Sequence, residues 1–224
     1  MDDPKTLIVV PVFNEWPHAM GILEELRDRF PHILVVEDGS SRRLDRKELK
    51  NKGIHYLCLP FNLGSWAAIQ TGFKYALIKG YDYVVTFDGD GQHLCEEIPA
   101  LLQGACQENL DIAVGSCAER ASRLRKACWV VLRRLSGVTI EDVTSGFRAY
   151  SVRAFKKFAE FSEANIEYQD IGVLLLARRF RLRMGEVPVR MQSRRGGESK
   201  VFPNLSSVAR YFLITIVSIL VKWR

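Results

Sequence analysis

The sequence lacks the features that define several common protein classes. Its five cysteines are an odd number with no Cys-x-x-Cys pair, which argues against a disulfide framework and against a zinc site. Its longest apolar run, residues 211–221, has about half of the ~20 residues that cross a membrane. The acidic start, followed by an apolar run of strand length, does not fit a signal peptide. We therefore expect free thiols in a reducing compartment.

The charge is distributed unevenly along the chain. Of the 224 residues, 47% are hydrophobic and 26% are charged, as in ordinary globular proteins, and the net charge is +6. Residues 1–118 carry 11 Lys and Arg against 17 Asp and Glu, whereas residues 119–224 carry 21 against 9. The acidic half could hold a cation. The basic half should attract phosphates, an anionic membrane surface or nucleic acid.

Short apolar runs alternate with helical patterns over the first 115 residues. Runs such as LIVVPV and ILVVE do not alternate with polar residues, which predicts strands that are buried on both faces. The alternation of predicted strands and helices along the chain predicts an α/β fold with a Rossmann-like, mostly parallel central sheet flanked by helices. The predicted strands are 6–12, 33–37, 54–59, 83–87, 111–115 and 183–191, the predicted helices are 17–29, 65–79, 97–107, 120–135, 167–180 and 204–223, and residues 142–150 are predicted to form a loop.

Polar residues follow the fourth predicted strand. Asp88 and Asp90 stand one residue apart in a glycine-rich turn, and Gln92 and His93 come next. Ligands of open α/β sheets bind beyond the carboxyl ends of the strands, and two such carboxylates can hold one hard cation. Magnesium or manganese would share these oxygens with substrate phosphates, and manganese would tolerate the His93 nitrogen. The alternative is a simple Asx turn.

Two other predicted strands end in polar residues. Asp38 follows the second strand, where its carboxylate could accept hydrogen bonds from a nucleobase or ribose, or could cap a helix or turn. Pro11, Asn14 and Glu15 close the first strand, and Pro11 should end or bulge it because proline cannot donate to a ladder. Since parallel strands end at one edge of a sheet, the three polar groups should line one crevice.

Six motifs, in order, resemble the family 2 glycosyltransferases of the GT-A fold. The resemblance is strongest to the branch of dolichyl-phosphate mannose synthases and bacterial polyprenyl-phosphate glycosyltransferases. The motifs are VVPVFNE (9–15), VEDGSS (36–41), NLG followed by AAIQTGFKYAL (62–77), FDGDGQH (87–93), DVTSGFRAYS (142–151) and EVPVRMQSRRGGESK (186–200).

The resemblance implies an inverting transfer from a UDP- or GDP-sugar, with Mg²⁺ or Mn²⁺ on the donor diphosphate. It makes Asp88, Asp90 and Gln92 the metal-binding residues, with Asp90 also catalytic, and Asp38 the residue that reads the base. The other residues that it places at the substrates are Pro11, Asn14 and Glu15 in the nucleoside pocket, Asn62 and Gly64 in the NLG turn, Ser145 and Gly146 beside the acceptor, and a catalytic, phosphate-binding Arg194 assisted by Lys200.

Two motifs depart from the family pattern. Members commonly have a basic insert such as Gly-Lys-Gly after Asn-x-Gly, whereas residues 65–66 of this chain are Ser-Trp. Members also often have Gly-Ser-Arg after the fifth strand, whereas residues 115–117 are Gly-Ser-Cys. Arg120 or Arg123 is the candidate replacement for the missing arginine, and ordinary solvated charges are the alternative.

The class of acceptor decides whether a general base is needed. A lipid phosphate is ionised at neutral pH and can attack directly, whereas a hydroxyl needs a carboxylate within hydrogen-bond reach. Asp170 or Glu167 could be that base, or both could be acids stabilised at a helix N-terminus. The favoured acceptor is a polyprenyl or dolichyl phosphate. The alternative is a hydroxyl of a saccharide or lipid-linked glycan, and a more distant one is a non-catalytic nucleotide-sugar-binding module.

The C-terminal segment, residues 204–224, is predicted to be an amphipathic helix that follows a GT-A domain formed by residues 1–203. Basic and aromatic residues bracket its apolar run. Such segments favour a membrane interface, so we expect a cytoplasmic protein on the cytoplasmic face of a membrane. Packing of this helix on the core is the alternative.

Other functions lack their sequence signatures. The basic residues are scattered, without an RNP, zinc or helix-turn-helix pattern, so no nucleic-acid partner is expected. The first strand does not lead into the GxGxxG of dinucleotide-dependent oxidoreductases. A glycine- and lysine-rich phosphate loop, which a nucleotidyltransferase would place there, is also missing.

Overall fold

Seven strands form one mixed sheet within the part of the chain that the structure describes. This part, in a computed structural model, comprises residues 4–15, 18–117, 123–161, 169–192, 213 and 215–216. The strand order across the sheet is β3-β2-β1-β4-β6-β5-β7. The strands are β1 (Thr6–Val12), β2 (Ile33–Glu37), β3 (His55–Cys58), β4 (Tyr83–Thr86), β5 (Ile112–Ser116), β6 (Arg148–Ser151) and β7 (Met184–Pro188).

Helices connect most of the strands. The helices are α1 (His18–Arg27), α2 (Arg46–Asn51), α3 (Ser65–Lys79), α4 (Ile98–Gln107), α5 (Arg123–Ser136), α6 (Val152–Glu160) and α7 (Gln169–Arg179). A short 3-10 turn, Cys95–Glu97, leads directly into α4.

The directions of the strands confirm the predicted α/β fold. β1 pairs in parallel with β2 and β4, β2 with β3, and β5 with β7. The first strand keeps Pro11 inside it, opposite Val36, and runs on to Val12. The ladder with β4 ends at Val9, two residues earlier, so Pro11 lies past the last bonded position on that side and neither ends nor bulges the strand.

β6 is the main departure from the predicted elements. It occupies the end of the segment 142–150, predicted as a loop, and runs antiparallel between β4 and β5. The prediction was wrong because β6 has only four residues, begins with a charged arginine and follows a run of turn residues. Its strand conformation depends on backbone partners on both sides, which are distant in sequence.

Two short helices were also not predicted. α2 has six residues, and the Asp45 carboxylate caps it by accepting hydrogen bonds from the backbone N–H groups of Lys47 and Glu48 at 2.8 and 3.3 Å. α6 begins directly after β6, in residues to which the sequence pattern assigned no element.

Alternate residues of the central strands enter two separate cores. Leu7 and Val9 of β1 pack with side chains of α3, α6 and α7 on one face of the sheet. Ile8 and Val10 pack on the other face with side chains of α1 and α4. Both faces are therefore covered by helices, which explains why β1 reads as a continuous apolar run.

Three residues of the C-terminal segment are described. Leu213 is exposed, Thr215 is buried, and Ile216 packs against the core cluster that contains α3, α6 and α7. The rest of the predicted helix 204–223 lies outside the described residues, so its membrane contact stays a prediction. Among the residues described, none of the helices is both long and apolar enough to cross a bilayer.

The tight contact between Gly72 of α3 and Val9 of β1 provides a test of this packing. A Cβ atom at Gly72 would lie 2.6 Å from Cγ1 of Val9. We expect Gly72→Ala to lower the free energy of unfolding by about 1–3 kcal/mol through overpacking. Urea-induced unfolding measures the change. The matched control is Gly21→Ala in α1, where a Cβ would meet no atom within 4 Å outside its chain neighbours and its own helix backbone, and there alanine should be neutral or stabilise by up to about 1 kcal/mol. Equal stability of the two variants would contradict the packing.

Candidate active site

The sheet brings three polar strand ends to one edge. β1 lies between β2 and β4, with Val12 opposite Glu37 and Val9 opposite Thr86. The segments that follow these strands therefore emerge side by side, as the sequence predicted. Asn14 and Glu15 come from the first, Asp38 from the second and the acidic loop 87–93 from the third.

Asn14 joins the ends of β1 and β2. Its side-chain Oδ1 accepts hydrogen bonds from the backbone N–H and the hydroxyl of Ser41, both at 3.0 Å. Its own N–H donates to the Ser40 hydroxyl oxygen at 3.0 Å. Asn14 has φ +52°, a left-handed conformation that asparagine tolerates better than most residues. The structure thus gives Asn14 a positioning role, and the predicted nucleoside contact stays a prediction.

Asp38 is buried and holds the NLG turn. Its two carboxylate oxygens accept the backbone N–H groups of Leu63 at 2.7 Å and Gly64 at 2.9 Å. Asn62 Oδ1 also accepts the Gly64 N–H, at 3.0 Å. Three residues that the sequence assigned separately to the substrates, Asp38, Asn62 and Gly64, therefore form one bonded unit. Each carboxylate oxygen can accept a second hydrogen bond, so Asp38 can still accept one from a base. Its predicted recognition of the base stays a prediction.

The preceding residue, Glu37, also stabilises the end of β2. It is buried, and its Oε2 accepts hydrogen bonds from the Tyr56 hydroxyl and from the Leu44 N–H at 3.2 Å. Burial, and then the hydrogen bond to Glu37, raises the pKa of Tyr56 well above its ordinary value. The phenol therefore remains protonated and acts as a donor throughout the physiological range, which fixes the ends of β2 and β3.

The acidic loop gathers three carboxylates. Asp90 Oδ1 accepts the backbone N–H of Gln92 at 3.0 Å, which closes the turn around Gly91. A Cβ at Gly89 would lie 3.1 Å from Glu15 Oε2, so the Glu15 carboxylate rests against this loop. Glu15, predicted only as part of the nucleoside pocket, thus stands beside the predicted metal-binding residues.

His93 supports Asp88 from the interior. It is 8% exposed, and its ring nitrogen Nε2 lies 3.3 Å from Asp88 Oδ2. The ring stacks on Phe147, with centroids 5.0 Å apart, and contacts the edge of Phe87. Sequence reasoning offered His93 as a possible manganese ligand, whereas the structure places it as a support for the neighbouring carboxylate.

A second loop, residues 142–147, closes over Asp88. The Thr86 hydroxyl donates to the Gly146 carbonyl at 2.7 Å. Both oxygens of Glu186, on β7, accept backbone N–H groups, from Glu141 and Asp142, each at 2.9 Å. This loop carries the predicted residues Ser145 and Gly146. Sequence reasoning missed Thr86 and Glu186 because neither lies in the segment that it holds.

A cavity of about 130 Å³ opens between the two loops. Four of its lining residues, Asp88, Gln92, Ser145 and Gly146, were predicted site residues. The remaining ones are His93, Cys117, Trp129, Asp142, Thr144 and Met191. Trp129 was not anticipated because it comes from α5, which carries no motif. Cys117 occupies the position where family members often have an arginine.

The donor set fits a hard divalent cation that is shared with phosphates. Asp88 and Asp90 offer carboxylate oxygens and Gln92 an amide oxygen, and Mg²⁺ is usually held by one or two carboxylates together with substrate phosphates. Among the described residues, no group of three or more His, Cys, Asp and Glu side chains is arranged to hold a metal alone. The residues therefore fit a metal that binds together with a diphosphate.

Several predicted residues fall outside the described part of the chain. Arg194, Lys200, Glu167 and Arg120 lie there, as do the side chains of Asp170 and Arg123. The chain immediately before Arg194 is described. Met191 pairs with His93, and the Gln192 N–H donates to the Gln92 carbonyl at 2.9 Å, which brings this segment to the acidic loop.

The sequence profile described as Glycosyl transferase family 2 matches residues 7–158. The chain belongs to this family. It is therefore a glycosyltransferase, as the ordered motifs indicated, and the matched range includes both loops that enclose the cavity.

The glycosyltransferase is similar in sequence to named relatives and in fold to a solved structure. It is 27% identical over 216 residues to the undecaprenyl-phosphate mannosyltransferase of Micrococcus luteus, covering 88% of this chain and 87% of the relative. It is 33% identical over 170 residues to the polyprenol monophosphomannose synthase of Mycolicibacterium smegmatis, covering 68% and 64%. Glucosyl-3-phosphoglycerate synthase of Mycobacterium tuberculosis, crystallised with Mn²⁺, UDP-glucose and glycerol 3-phosphate, aligns with a TM-score of 0.69 at 18% identity, over 96% of this chain and 80% of that one. This last likeness shows the fold.

The contact between the two loops can be tested at Gly146. A Cβ there would lie 2.5 Å from Asp88 Oδ2, so Gly146→Ala should displace the carboxylate. Because misplacement of a site group by about 1 Å can cost on the order of 100-fold in rate, we expect kcat/KM of the glycosyltransferase to fall at least about tenfold. Initial rates measure the loss, and Gly21→Ala is the control. A fully active Gly146→Ala enzyme would show that Asp88 does not act from its observed position.

Proposed function

We propose that this glycosyltransferase moves a sugar from a nucleotide-diphosphate sugar to a polyprenyl phosphate, with inversion, at the surface of a membrane and with a divalent metal. The observation that carries the proposal is the position of Asp88 and Asp90. They stand at the carboxyl edge of the sheet, and Asp88 lines a cavity closed by the loop 142–147.

The donor side follows from the chemistry of the leaving group. Transfer breaks the bond between the anomeric carbon and the donor diphosphate, so negative charge develops on the departing oxygen. A magnesium or manganese ion held by Asp88, Asp90 and Gln92 would neutralise that charge. Arg194, two residues beyond Gln192, is proposed as a further cationic contact, with Lys200 assisting.

The nucleoside is proposed to lie at the ends of β1 and β2. Pro11, Asn14 and Glu15 would form one wall, and Asp38 would accept a hydrogen bond from the base. The bonded unit of Asp38 with Leu63 and Gly64 supports this role because it holds the carboxylate in place before the donor arrives. Uracil and guanine can both donate to Asp38, so this contact fits the UDP- or GDP-sugar that the family resemblance implies.

The acceptor side is supported by the relatives. Of the two relatives described above, one is named an undecaprenyl-phosphate mannosyltransferase and the other a polyprenol monophosphomannose synthase. A phosphate oxygen of the lipid would form the new bond to the anomeric carbon as the donor bond breaks. Because that oxygen is already ionised at neutral pH, no general base is required.

Association with a membrane surface follows from the acceptor. A polyprenyl chain stays in the bilayer, so the enzyme must work at its surface. The C-terminal half of the chain, with 21 basic and 9 acidic residues, suits the anionic cytoplasmic leaflet. The enzyme is therefore proposed to be a peripheral protein on that face.

The donor and metal are tested by binding. We expect Mn²⁺ with the matching UDP- or GDP-sugar to raise the melting temperature of the folded enzyme, since a ligand that binds only the native state stabilises it. Chelation with EDTA should abolish the shift, and Asp90→Ala should reduce both the shift and turnover by at least about 100-fold in rate. Asp28→Ala, an exposed acid at the end of α1, is the matched control. A shift that persists in Asp90→Ala with EDTA present would refute the metal site.

The acceptor is tested by comparing a polyprenyl phosphate with the corresponding polyprenol and with a free saccharide. We expect glycosylation of the phosphate alone, because only its oxygen is ionised near neutral pH. Mass spectrometry of the products measures the transfer. Glycosylation of the polyprenol or the saccharide would instead favour the hydroxyl acceptor, with Asp170 or Glu167 as its base, and Asp170→Asn would then separate the two candidate bases.

A further inference from the structure

The segment that follows β7 runs along the acidic loop. This segment, residues 189–192, is called the bridging segment below. At its start, the Val189 N–H donates to the Ser116 carbonyl at 3.0 Å, which continues the pairing of β7 with β5. At its end, the Gln192 N–H donates to the Gln92 carbonyl at 2.9 Å. The bridging segment therefore joins the last strand of the sheet to the loop that carries the proposed metal-binding residues.

An ion pair fastens the middle of the bridging segment. The Arg190 Nε donates to Glu97 Oε1 at 2.5 Å. The Arg190 side chain is 77% exposed, whereas that of Glu97 is only 10% exposed, so the carboxylate has little access to water. A buried carboxylate is costly unless a charge and a hydrogen bond compensate for the lost water. Glu97 therefore depends on a partner that the bridging segment supplies.

The location of Glu97 shows that it serves this pairing and not its own helix. It is the residue directly before α4, where a carboxylate commonly caps the helix by accepting backbone N–H groups of the first turn. The Glu97 side chain makes no such capping hydrogen bond and binds Arg190 instead. The pair thus links the start of α4, just beyond the acidic loop, to a segment 93 residues later in the chain.

The neighbouring acid makes a different kind of contact. Glu96 pairs with Arg29, which follows α1, at 2.7 Å, and the two side chains are 40% and 49% exposed. Ion pairs between exposed side chains contribute little to stability because water already solvates both partners. Two adjacent carboxylates therefore allow a matched comparison, since one pairs with the bridging segment and the other with the end of α1.

We propose that Glu97 and Arg190 are positioning residues, whose ion pair holds the bridging segment on the acidic loop and so fixes Gln92 for the capture of the metal and the donor diphosphate. The effect on the donor rests on the proposed function, whereas the attachment of the segment does not. The loop 142–147, beside the proposed acceptor, is fixed by hydrogen bonds of its own. The ion pair should therefore affect the donor and not the acceptor.

The attachment is tested without any ligand, by hydrogen exchange of the Gln192 amide, followed by NMR. Arg190→Met keeps a long side chain but removes its charge and its donor, so the bond of this amide to Gln92 should open more often and exchange should be at least about tenfold faster. The matched control, Arg29→Met, breaks the adjacent pair with Glu96 and should leave the exchange rate unchanged. Unchanged exchange in Arg190→Met would overturn the proposal.

A double variant separates positioning from stability. Arg190→Met leaves the Glu97 carboxylate buried without its partner and should lower the melting temperature by at least about 2 °C. Glu97→Gln/Arg190→Met also removes that charge, so its melting temperature should recover while the Gln192 amide still exchanges faster than in the wild type. Arg190→Lys keeps a cationic donor for one carboxylate oxygen and should resemble the wild type in both measurements.

The effect on the reaction is measured as a difference between the two substrates. In Glu97→Gln/Arg190→Met, KM for the nucleotide-sugar should rise at least about tenfold in the presence of Mn²⁺, because displacement of a site group by about 1 Å can cost on the order of 100-fold. KM for the polyprenyl phosphate should not change. An unchanged donor KM, or an equal rise for both substrates, would overturn the positioning role. Faster exchange in Arg190→Met, together with a wild type that uses no nucleotide-sugar, would support the attachment and refute the proposed function.

Discussion

The structure depends most on how the Asp88 carboxylate is held at the edge of the sheet. Gly146 leaves room for it, His93 contacts it from the interior, and the loop 142–147 is fixed over it by Thr86 and Glu186. Because it is held in place beforehand, this carboxylate would lose little entropy on binding the cation and diphosphate of the proposed function. The antiparallel strand β6 follows directly from this loop, so the reversal of the sheet at β6 is part of the same arrangement.

The two halves of the site are built by different physical means. At the ends of β1 and β2, Asn14 and Asp38 use their side chains to bind backbone groups of neighbouring turns, which holds these turns in place. At the cavity, α5 contributes a buried indole from a helix that is separate from both loops. Hydrogen bonds between turns therefore stabilise the first part, whereas packing of a helix shapes the second.

Much of the site could be predicted from the sequence because its residues follow apolar strands. Asp88, Asp90 and Gln92 lie in one loop, so their proximity is local. The crevice with Asn14 and Asp38 was also accessible, because parallel strands have their carboxyl ends at one edge. The supporting residues could not be found in this way. Glu186 and Thr86 bond to a loop far from them in sequence, Trp129 reaches the cavity from α5, and no local pattern identifies such partners.

The sequence by itself determined the layered α/β fold, since apolar runs without alternation can be buried only when helices cover both faces of a sheet. It also determined that carboxylates stand at the edge, because they follow buried strands, and it indicated membership in a glycosyltransferase family through ordered motifs. Only the tertiary structure decided that 148–151 is a strand, because four residues starting with Arg148 gain that conformation from β4 and β5 on either side. Likewise, only packing decided which residues of α5 face the cavity and which face solvent, because a mixed apolar and basic helix does not define its own buried side.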